Sequence, residues 1–192
     1  MERAVFLDQD GTIIEDVGYL GECSKIKFLP RVSEAIKLLN ENGFKVIVAT
    51  NQSGVARGYF TEETVKEINR YIQESLARQG ALIDKTYYCP HHIEGTVEEY
   101  MKECHCRKPN PGMIKEAAGE YDIDLKGSFV IGDKSTDIEA GHGAGCKTIL
   151  LADKRSPDGG RETTLIPDYI APDLYEAVKW VVKFSHQKGR CS

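Results

Sequence analysis

Short apolar runs recur along this chain, each followed by a polar turn or by a stretch of helical spacing. Runs of mostly aliphatic and β-branched residues predict buried strands at residues 4–7, 45–49, 128–131 and 148–151. Residues 85–89 predict a weaker strand.

Between these runs, apolar residues return every three or four positions, which predicts helices. The clearest is a long helix capped by Thr61, whose shared apolar face holds Val65, Ile68, Ile72 and Leu76. Another helix is predicted from residue 32 to about residue 39, and Asn42-Gly43 is typical of its end. Pro111 suits the first turn of a further helix running to about residue 121. The last two helices are predicted at residues 135–141 and 172–184.

Strands that alternate with helices predict an α/β fold with a doubly wound, mostly parallel, Rossmann-like sheet. The chain has 192 residues, enough for one domain, and residues 1–192 are predicted to form it. Ligands of such sheets bind at the carboxyl ends of the strands. Candidate chemistry should therefore lie directly after the apolar runs.

Composition narrows the class of protein. Hydrophobic residues make up 41% of the chain and charged residues 29%, which excludes a disordered or fibrous protein. No apolar run reaches the roughly 20 residues that a membrane helix needs, so no membrane partner is expected. The N-terminal segment lacks the features of a signal peptide, which predicts a cytoplasmic protein. The formal net charge of −5 argues against nucleic acid as a partner.

The first polar cluster, DQDGT, follows the first predicted strand and contains Asp8 and Asp10. Residues two apart at a strand end project to the same side, so these carboxylates would form an anionic site suited to a divalent cation. One could attack as a nucleophile while the other transfers a proton. An acidic loop around a glycine turn is the alternative interpretation.

Three more polar clusters follow. Thr50 opens the string TNQSG, whose hydroxyl, amide and backbone N–H groups suit phosphate oxygens, although a plain polar turn is the alternative. Arg107 and Lys108 could neutralise an anionic group, or could simply be solvated. Asp133 and Asp137 could complete a magnesium site, or could merely favour a helix N-terminus electrostatically.

In this order the four clusters resemble the motifs of the haloacid dehalogenase-like (HAD) phosphatase superfamily: DxDGT, a strand-end Ser or Thr, a Lys, and GDxxxD. The resemblance implies that Asp8 attacks phosphorus and forms an aspartyl-phosphate. It implies that Asp10 protonates the leaving oxygen and then activates water. It also implies that Thr50 and Lys108 hold the transferring phosphoryl group.

The same resemblance implies a Mg²⁺ cofactor held by Asp8, the Asp10 carbonyl and Asp133, with Asp137 behind them. Such a cation, with Lys108, would let an anionic nucleophile approach an anionic phosphate. The acid at position 10 indicates a phosphatase rather than a dehalogenase, because an alkoxide needs a proton on leaving and a halide does not. Relatives carry a cap domain between the first and second clusters or between the second and third. Both of these intervals are short in this chain, which predicts an enzyme without a cap, whose active site is shaped by loops.

Three of the six cysteines lie between residues 89 and 106, beside three of the five histidines. A Cys₃His set suits tetrahedral zinc, and the predicted ligands are Cys89, His91, Cys104 and Cys106. His92 and His105 are further candidates. Four protein ligands leave no open position, so the zinc would be structural and would clamp a loop at about residues 89–107. A chance cluster of reduced thiols is the alternative.

Longer strings narrow the resemblance to the heptose bisphosphate 7-phosphatases of this superfamily. They are NQSGVARG at residues 51–58, CPHH at 89–92, CHCRKPNPGM at 104–113 and GDK at 132–134. The resemblance implies an enzyme that removes the 7-phosphate of a small-molecule sugar bisphosphate during nucleotide-heptose (lipopolysaccharide core) synthesis. A monomer is expected. The substrate-binding residues expected from the matching strings and their neighbouring cations are Asp16, Val17, Gly18, Tyr19, Asn51, Gln52, Ser53, Arg57, Arg107 and Lys134.

Three other functions stay open. The related histidinol-phosphate phosphatases share the zinc loop, but they usually carry Asp in place of Ser53 and lack the following VARG string. A nucleic-acid 3′-phosphatase would fit a capless site but not the net charge. A zinc-dependent binding module would need vestigial acids, whereas the acid and lysine set is intact. Residues 154–161 carry no recognisable motif and are expected to form a solvated loop.

Overall fold

A computed structural model describes residues 1–152 and 165–188 of the chain. Within these residues six strands form one sheet in the order β3-β2-β1-β4-β5-β6, and every neighbouring pair is parallel. The strands are β1 (Arg3–Leu7), β2 (Phe44–Asn51), β3 (Lys85–Cys89), β4 (Phe129–Gly132), β5 (Lys147–Leu151) and β6 (Tyr169–Ala171). The predicted doubly wound α/β sheet is confirmed.

Five α-helices within the described residues cover the two faces of the sheet. They are α1 (Val32–Glu41), α2 (Glu62–Ala77), α3 (Gly112–Tyr121), α4 (Ser135–Ala144) and α5 (Leu174–Lys188). Apolar residues of α1, α2 and α5 belong to one core cluster. Apolar residues of α3, together with Ala140 of α4, belong to a second. Alternate residues of β1 enter the two clusters, as the period of a strand requires. The central strand is therefore buried on both faces.

The helix ends follow the local sequence. The Thr61 side chain accepts a hydrogen bond from the Thr64 N–H at 3.3 Å, so the predicted cap of α2 is confirmed. Pro111 precedes α3 as its cap residue rather than lying in its first turn. The pattern did not predict β6, which has three residues at the sheet edge and exposes Ile170. An edge strand this short carries too few alternating positions to be recognised.

The chain order places a switch point beside β1. From β1 the chain builds outward through β2 and β3, and it then returns to build β4, β5 and β6 on the other side. Connections leaving β1 and β4 run in opposite directions, which opens a crevice at their carboxyl ends. The polar clusters that follow β1, β2 and β4 all face this edge.

The loops beyond this edge are modest in size. Between Asp10 and β2 the described chain forms only a short flap, one 3₁₀ turn and α1. Between β2 and Lys108 it forms α2, β3, a second 3₁₀ turn and the Cys/His loop. Neither interval holds a separate cap domain. No helix in the part of the chain that the structure describes is long and apolar enough to cross a membrane.

Candidate active site

Lys108 is the buried cation at the centre of the crevice. Its Nζ lies 2.7 Å from Asp8 Oδ1 and 2.6 Å from Asp137 Oδ1, and it donates to the Ala49 carbonyl at 2.6 Å. Burial alone would lower the pKa of Lys108, but the charges of Asp137 and Asp8 outweigh it and raise that pKa above its ordinary value. Lys108 therefore stays charged and is held against Asp8.

Three carboxylates gather around this lysine. One oxygen each from Asp8, Asp133 and Asp137 lie within 4.8 Å of one another, and Asp133 Oδ1 is buried without a hydrogen-bond partner among the described residues. Burial, followed by the charge of Asp8, raises the pKa of Asp133 to about 7. Clustered oxygen ligands and an unpartnered carboxylate atom fit a hard divalent cation such as Mg²⁺.

Gly11 explains why the first motif needs a glycine. Its φ is +91°, and a Cβ at this position would collide with the Asp133 carboxylate. The backbone after Asp10 can therefore pass directly over Asp133 only when position 11 has no side chain.

The Asp10 carboxylate is held by Gln52, the residue directly after β2. Gln52 donates from Nε2 to Asp10 Oδ2 at 2.9 Å and to Thr50 Oγ1 at 3.0 Å. Burial, then the charges of Asp8 and Asp16, raise the pKa of Asp10 to about 7. A carboxyl group that exchanges its proton near neutral pH can serve as a general acid and base.

Asn51 contacts Lys108 from the end of β2. Its Oδ1 accepts from the Lys108 N–H at 3.0 Å, and its Nδ2 donates to the Lys108 carbonyl at 3.0 Å. Two residues later, the backbone carbonyl of Ser53 accepts from the Arg57 N–H at 3.0 Å. Sequence reasoning placed Asn51 and Gln52 at the site, but it missed which catalytic candidates they contact.

Residues 16–19 form one rim of the crevice. Asp16 Oδ1 accepts from the Gly18 N–H at 2.8 Å, and Asp16 Oδ2 pairs with Lys134 Nζ at 2.9 Å. Val17 and Tyr19 are exposed, and the Tyr19 ring contacts the Tyr59 ring at 4.5 Å between centroids. Tyr59 is not predictable as a neighbour of this rim, because nothing in the local sequence distinguishes it from an ordinary surface tyrosine.

Arg57 and Arg107 contact the Cys/His loop. Arg57 Nη2 pairs with Glu94 Oε2 at 3.2 Å, and Arg107 Nη1 donates to the His91 carbonyl at 3.2 Å. Arg57 Nε is buried without a partner among the described residues. Burial, then the charges of Arg107 and Arg57, lower the pKa of His92. A cleft of about 690 Å³ beside them is lined in part by His92, Arg107 and Lys108.

The predicted zinc ligands meet in one cluster. The three Sγ–Sγ distances among Cys89, Cys104 and Cys106 are 3.4, 3.3 and 3.2 Å. His91 Nδ1 lies 3.7 Å from Cys89 Sγ and 3.5 Å from Cys106 Sγ. Because Zn–S bonds are about 2.3 Å, a tetrahedral site needs ligand separations of roughly 3.8 Å, and these atoms fit it with slight expansion.

The two spare histidines lie outside this cluster. His92 contacts Arg57, and His105 is an exposed residue. Backbone hydrogen bonds fasten the Cys/His loop to the chain after β2. The Gln52 N–H donates to the Cys89 carbonyl at 2.8 Å, and the Thr96 N–H donates to the Ala56 carbonyl at 2.7 Å. The Lys108–Pro109 peptide bond is cis. Residues 154–161 and Cys191 lie outside the described residues.

Known proteins resemble the chain across most of its length. A family model described as HAD-hydrolase-like matches residues 105–177. The D-glycero-beta-D-manno-heptose-1,7-bisphosphate 7-phosphatase of Pasteurella multocida (strain Pm70) is 41% identical over 182 residues, which cover 93% of this chain and 98% of the relative. The Escherichia coli (strain K12) protein of the same name is 39% identical over 179 residues, covering 93% and 87%.

A solved structure agrees with this similarity. The D,D-heptose 1,7-bisphosphate phosphatase from B. bronchiseptica, complexed with magnesium and phosphate, matches with a TM-score of 0.82 and 31% identity. The match covers 95% of this chain and 99% of that one.

Proposed function

We propose that this chain, which belongs to the D-glycero-β-D-manno-heptose-1,7-bisphosphate 7-phosphatase family of the HAD-like hydrolases, removes the 7-phosphate of that bisphosphate and leaves heptose 1-phosphate. The observation that carries the proposal is Lys108 Nζ, 2.7 Å from Asp8 Oδ1, next to a second carboxyl group, Asp10, whose pKa is about 7. This arrangement supplies a nucleophile, a counter-charge and a proton donor at one edge of the sheet.

In the first half of the reaction, a carboxylate oxygen of Asp8 forms a bond to phosphorus as the bond to the C7 oxygen breaks. Asp10 transfers its proton to that departing oxygen, so a neutral alcohol leaves. Lys108 and the Thr50 hydroxyl hold the phosphoryl oxygens and keep them in line for attack. The product of this half is an aspartyl-phosphate on Asp8.

In the second half, Asp10 is ionised and accepts a proton from a water molecule that attacks phosphorus. The bond between phosphorus and Asp8 breaks, inorganic phosphate leaves, and Asp8 regains its carboxylate. Because Asp10 has given up one proton and taken another, the enzyme returns to its starting state.

A metal would complete the charge balance. Asp8, Asp133 and the Asp10 carbonyl would hold Mg²⁺, and the buried Asp137 carboxylate would keep Lys108 in place beside them. When bound, the cation neutralises phosphate oxygens and lowers the repulsion between them and Asp8.

Zinc has a different proposed role. Cys89, His91, Cys104 and Cys106 would hold one structural Zn²⁺ and fix the loop that carries Arg107 and Lys108. The proposed unit is a single domain of residues 1–192 that acts as a cytoplasmic monomer in the supply of heptose for lipopolysaccharide core.

Recognition of the second phosphate would come from loops, since the site has no cap domain. Arg107, Arg57 and Lys134 could contact the 1-phosphate while the 7-phosphate lies at Asp8. Residues 16–19 and Ser53 would contact the sugar between them. A bisphosphate should therefore react faster than a monophosphate.

The test is phosphate release, with Mg²⁺, from the heptose bisphosphate, histidinol phosphate and a 3′-phosphorylated oligonucleotide. We expect the bisphosphate to react fastest, and phosphorus NMR of its product to show only the 1-phosphate. A surviving 7-phosphate resonance, or faster release from histidinol phosphate, would contradict the proposed substrate.

A further inference from the structure

The side-chain amides of Asn51 and Gln52 already form hydrogen bonds within the protein. The Asn51 side chain accepts a hydrogen bond from the Lys108 N–H and donates one to the Lys108 carbonyl, each at 3.0 Å. Gln52 donates to Asp10 at 2.9 Å and to Thr50 at 3.0 Å. Two consecutive residues therefore contact two different groups that flank Asp8.

We propose that Asn51 and Gln52 are positioning residues, with Asn51 fixing the backbone of Lys108 and Gln52 fixing the carboxylate of Asp10. This role replaces the expectation that their side chains bind the substrate. It rests on the proposed function only in assigning Lys108 and Asp10 to the reaction.

Lys108 needs such a support because it lies on a loop rather than on a strand. The chain is neither helix nor strand from residue 101 to residue 111, so no ladder of backbone hydrogen bonds fixes it there. Asn51 lies 57 positions earlier, at the end of β2, and offers one acceptor and one donor to the same residue. Its amide thus supplies the pairing that a neighbouring strand would otherwise give.

Gln52 has the donor that Asp10 requires. Its side chain is buried, and the same nitrogen that donates to Asp10 also donates to Thr50 Oγ1. A carboxylate accepts hydrogen bonds, so the Nε2 end must face Asp10. Because Thr50 belongs to β2, Gln52 ties Asp10 to a rigid strand.

A matched control exists at the opposite edge of the sheet. Asn40, at the end of α1, donates from Nδ2 to the Leu82 carbonyl at 3.0 Å and accepts from the Leu82 N–H at 2.9 Å. This is the same pair of bonds, made to a loop before β3 instead of to Lys108. Replacing Asn40 removes equivalent hydrogen bonds away from the site.

The first experiment compares Asn51→Ala with Asn40→Ala on the heptose bisphosphate and on p-nitrophenyl phosphate. Because small displacements of a catalytic group cost up to about 100-fold in rate, Asn51→Ala should lower kcat roughly 10- to 100-fold on both substrates, with KM little changed. Asn40→Ala should keep the wild-type kcat. A normal kcat with a raised KM for the bisphosphate alone would show a substrate ligand and overturn the proposal.

A crystal structure of Asn51→Ala tests the same inference without activity. We expect Lys108 Nζ to move away from Asp8, whereas retention of the 2.7 Å contact would contradict a positioning role. If the wild-type protein were inactive on both substrates, the proposed function would be contradicted. The crystal structure of Asn51→Ala would still show whether Asn51 positions Lys108.

Gln52 is tested in two backgrounds. Gln52→Met keeps a long side chain but loses the donor, and we expect it to slow single-turnover phosphorylation of Asp8 by the bisphosphate more than by p-nitrophenyl phosphate, whose leaving group needs no proton. The same change should cost little in Asp10→Asn, because the group it holds is already disabled. Equal losses in both backgrounds would overturn the role of Gln52.

Discussion

The carboxylates Asp8, Asp133 and Asp137 form an acid cluster, and Cys89, His91, Cys104 and Cys106 form a Cys/His cluster. In both, ligand atoms lie within 4.8 Å of one another, yet they suit different metals. Oxygen ligands favour a hard cation that keeps positions for water or phosphate. Three sulfurs and one nitrogen favour zinc and fill its four positions.

The two clusters also differ in how they are fixed. In the acid cluster, Asp8 and Asp133 directly follow the buried strands β1 and β4, and Asp137 lies in the first turn of α4. In the Cys/His cluster, Cys89 ends β3 inside the core, while Cys104 and Cys106 lie on an irregular loop that packs against that core. Backbone hydrogen bonds also fasten this loop to the chain after β2. A metal at the first would take part in chemistry, whereas a metal at the second would hold Arg107 and Lys108 where that chemistry needs them.

Among the variants that test this comparison, Asp8→Asn should have the largest effect on turnover. Without the carboxylate nucleophile, we expect turnover to fall by roughly 10⁴-fold or more, as for other essential nucleophiles. The matched control is Asp84→Asn, because Asp84 pairs with Lys45 at 2.8 Å at the opposite edge of the sheet. Steady-state kinetics check both variants, and near-wild-type turnover by folded Asp8→Asn would break the assignment of chemistry to the acid cluster.

Cys104→Ser should disable the Cys/His cluster and leave the acid cluster intact. Purified wild-type protein is expected to hold about one zinc per chain, and the variant should lose it because a serine hydroxyl is a poor zinc ligand. KM for the bisphosphate should rise as the loop carrying Arg107 loosens, while Mg²⁺ binding persists. Cys23→Ser is the control. Elemental analysis showing no zinc in freshly purified wild type would refute the structural role.

Arg107→Ala should have a smaller and more selective effect. Loss of one charge-assisted hydrogen bond costs about 1.5–3 kcal/mol, so kcat/KM for the bisphosphate should fall roughly 10- to 100-fold. Activity on p-nitrophenyl phosphate should change much less, because it has no second phosphate. The exposed Arg70 on α2 provides the control, Arg70→Ala. Equal losses on both substrates would instead assign Arg107 to the scissile phosphate.

The smallest predicted effect is on stability without Mg²⁺. Burial and Asp8 raise the pKa of Asp133 to about 7, above its value in the unfolded chain, so the folded state favours the protonated acid. Stability should therefore fall as pH rises from about 4 to 7, then level off. Asp133→Asn should make stability depend less on pH, changing the difference in Tm between pH 4 and pH 7 by a few degrees. Thermal unfolding in metal-depleted buffer checks it, and identical slopes would contradict the charge balance described for the acid cluster.

Much of this arrangement was predictable from sequence. Three of the four motifs directly follow an apolar run, and parallel strands bring their carboxyl ends to one edge. The Cys/His set is likewise local, since pairs two residues apart define it. These features depend on periodicity and on topology alone.

Other features depend on which distant atoms meet after folding. Asn51 looks like a phosphate ligand in sequence, and only the position of residue 108 shows that its amide is already engaged. The resemblance places Asp137 behind the metal site, and in the structure its carboxylate lies 2.6 Å from Lys108 Nζ. No pattern in the chain specifies which side-chain atom faces which partner.

The central claim is that the acid cluster forms a covalent bond to phosphorus through Asp8. It is tested most directly by acid quenching of the Asp10→Asn variant during reaction with p-nitrophenyl phosphate, followed by peptide mass spectrometry. The phenolate leaves without a proton, whereas hydrolysis lacks its base, so a phosphoryl group should accumulate on Asp8. A phosphoryl group on another residue, or release of nitrophenolate in a burst with no phosphorylated peptide, would contradict the account.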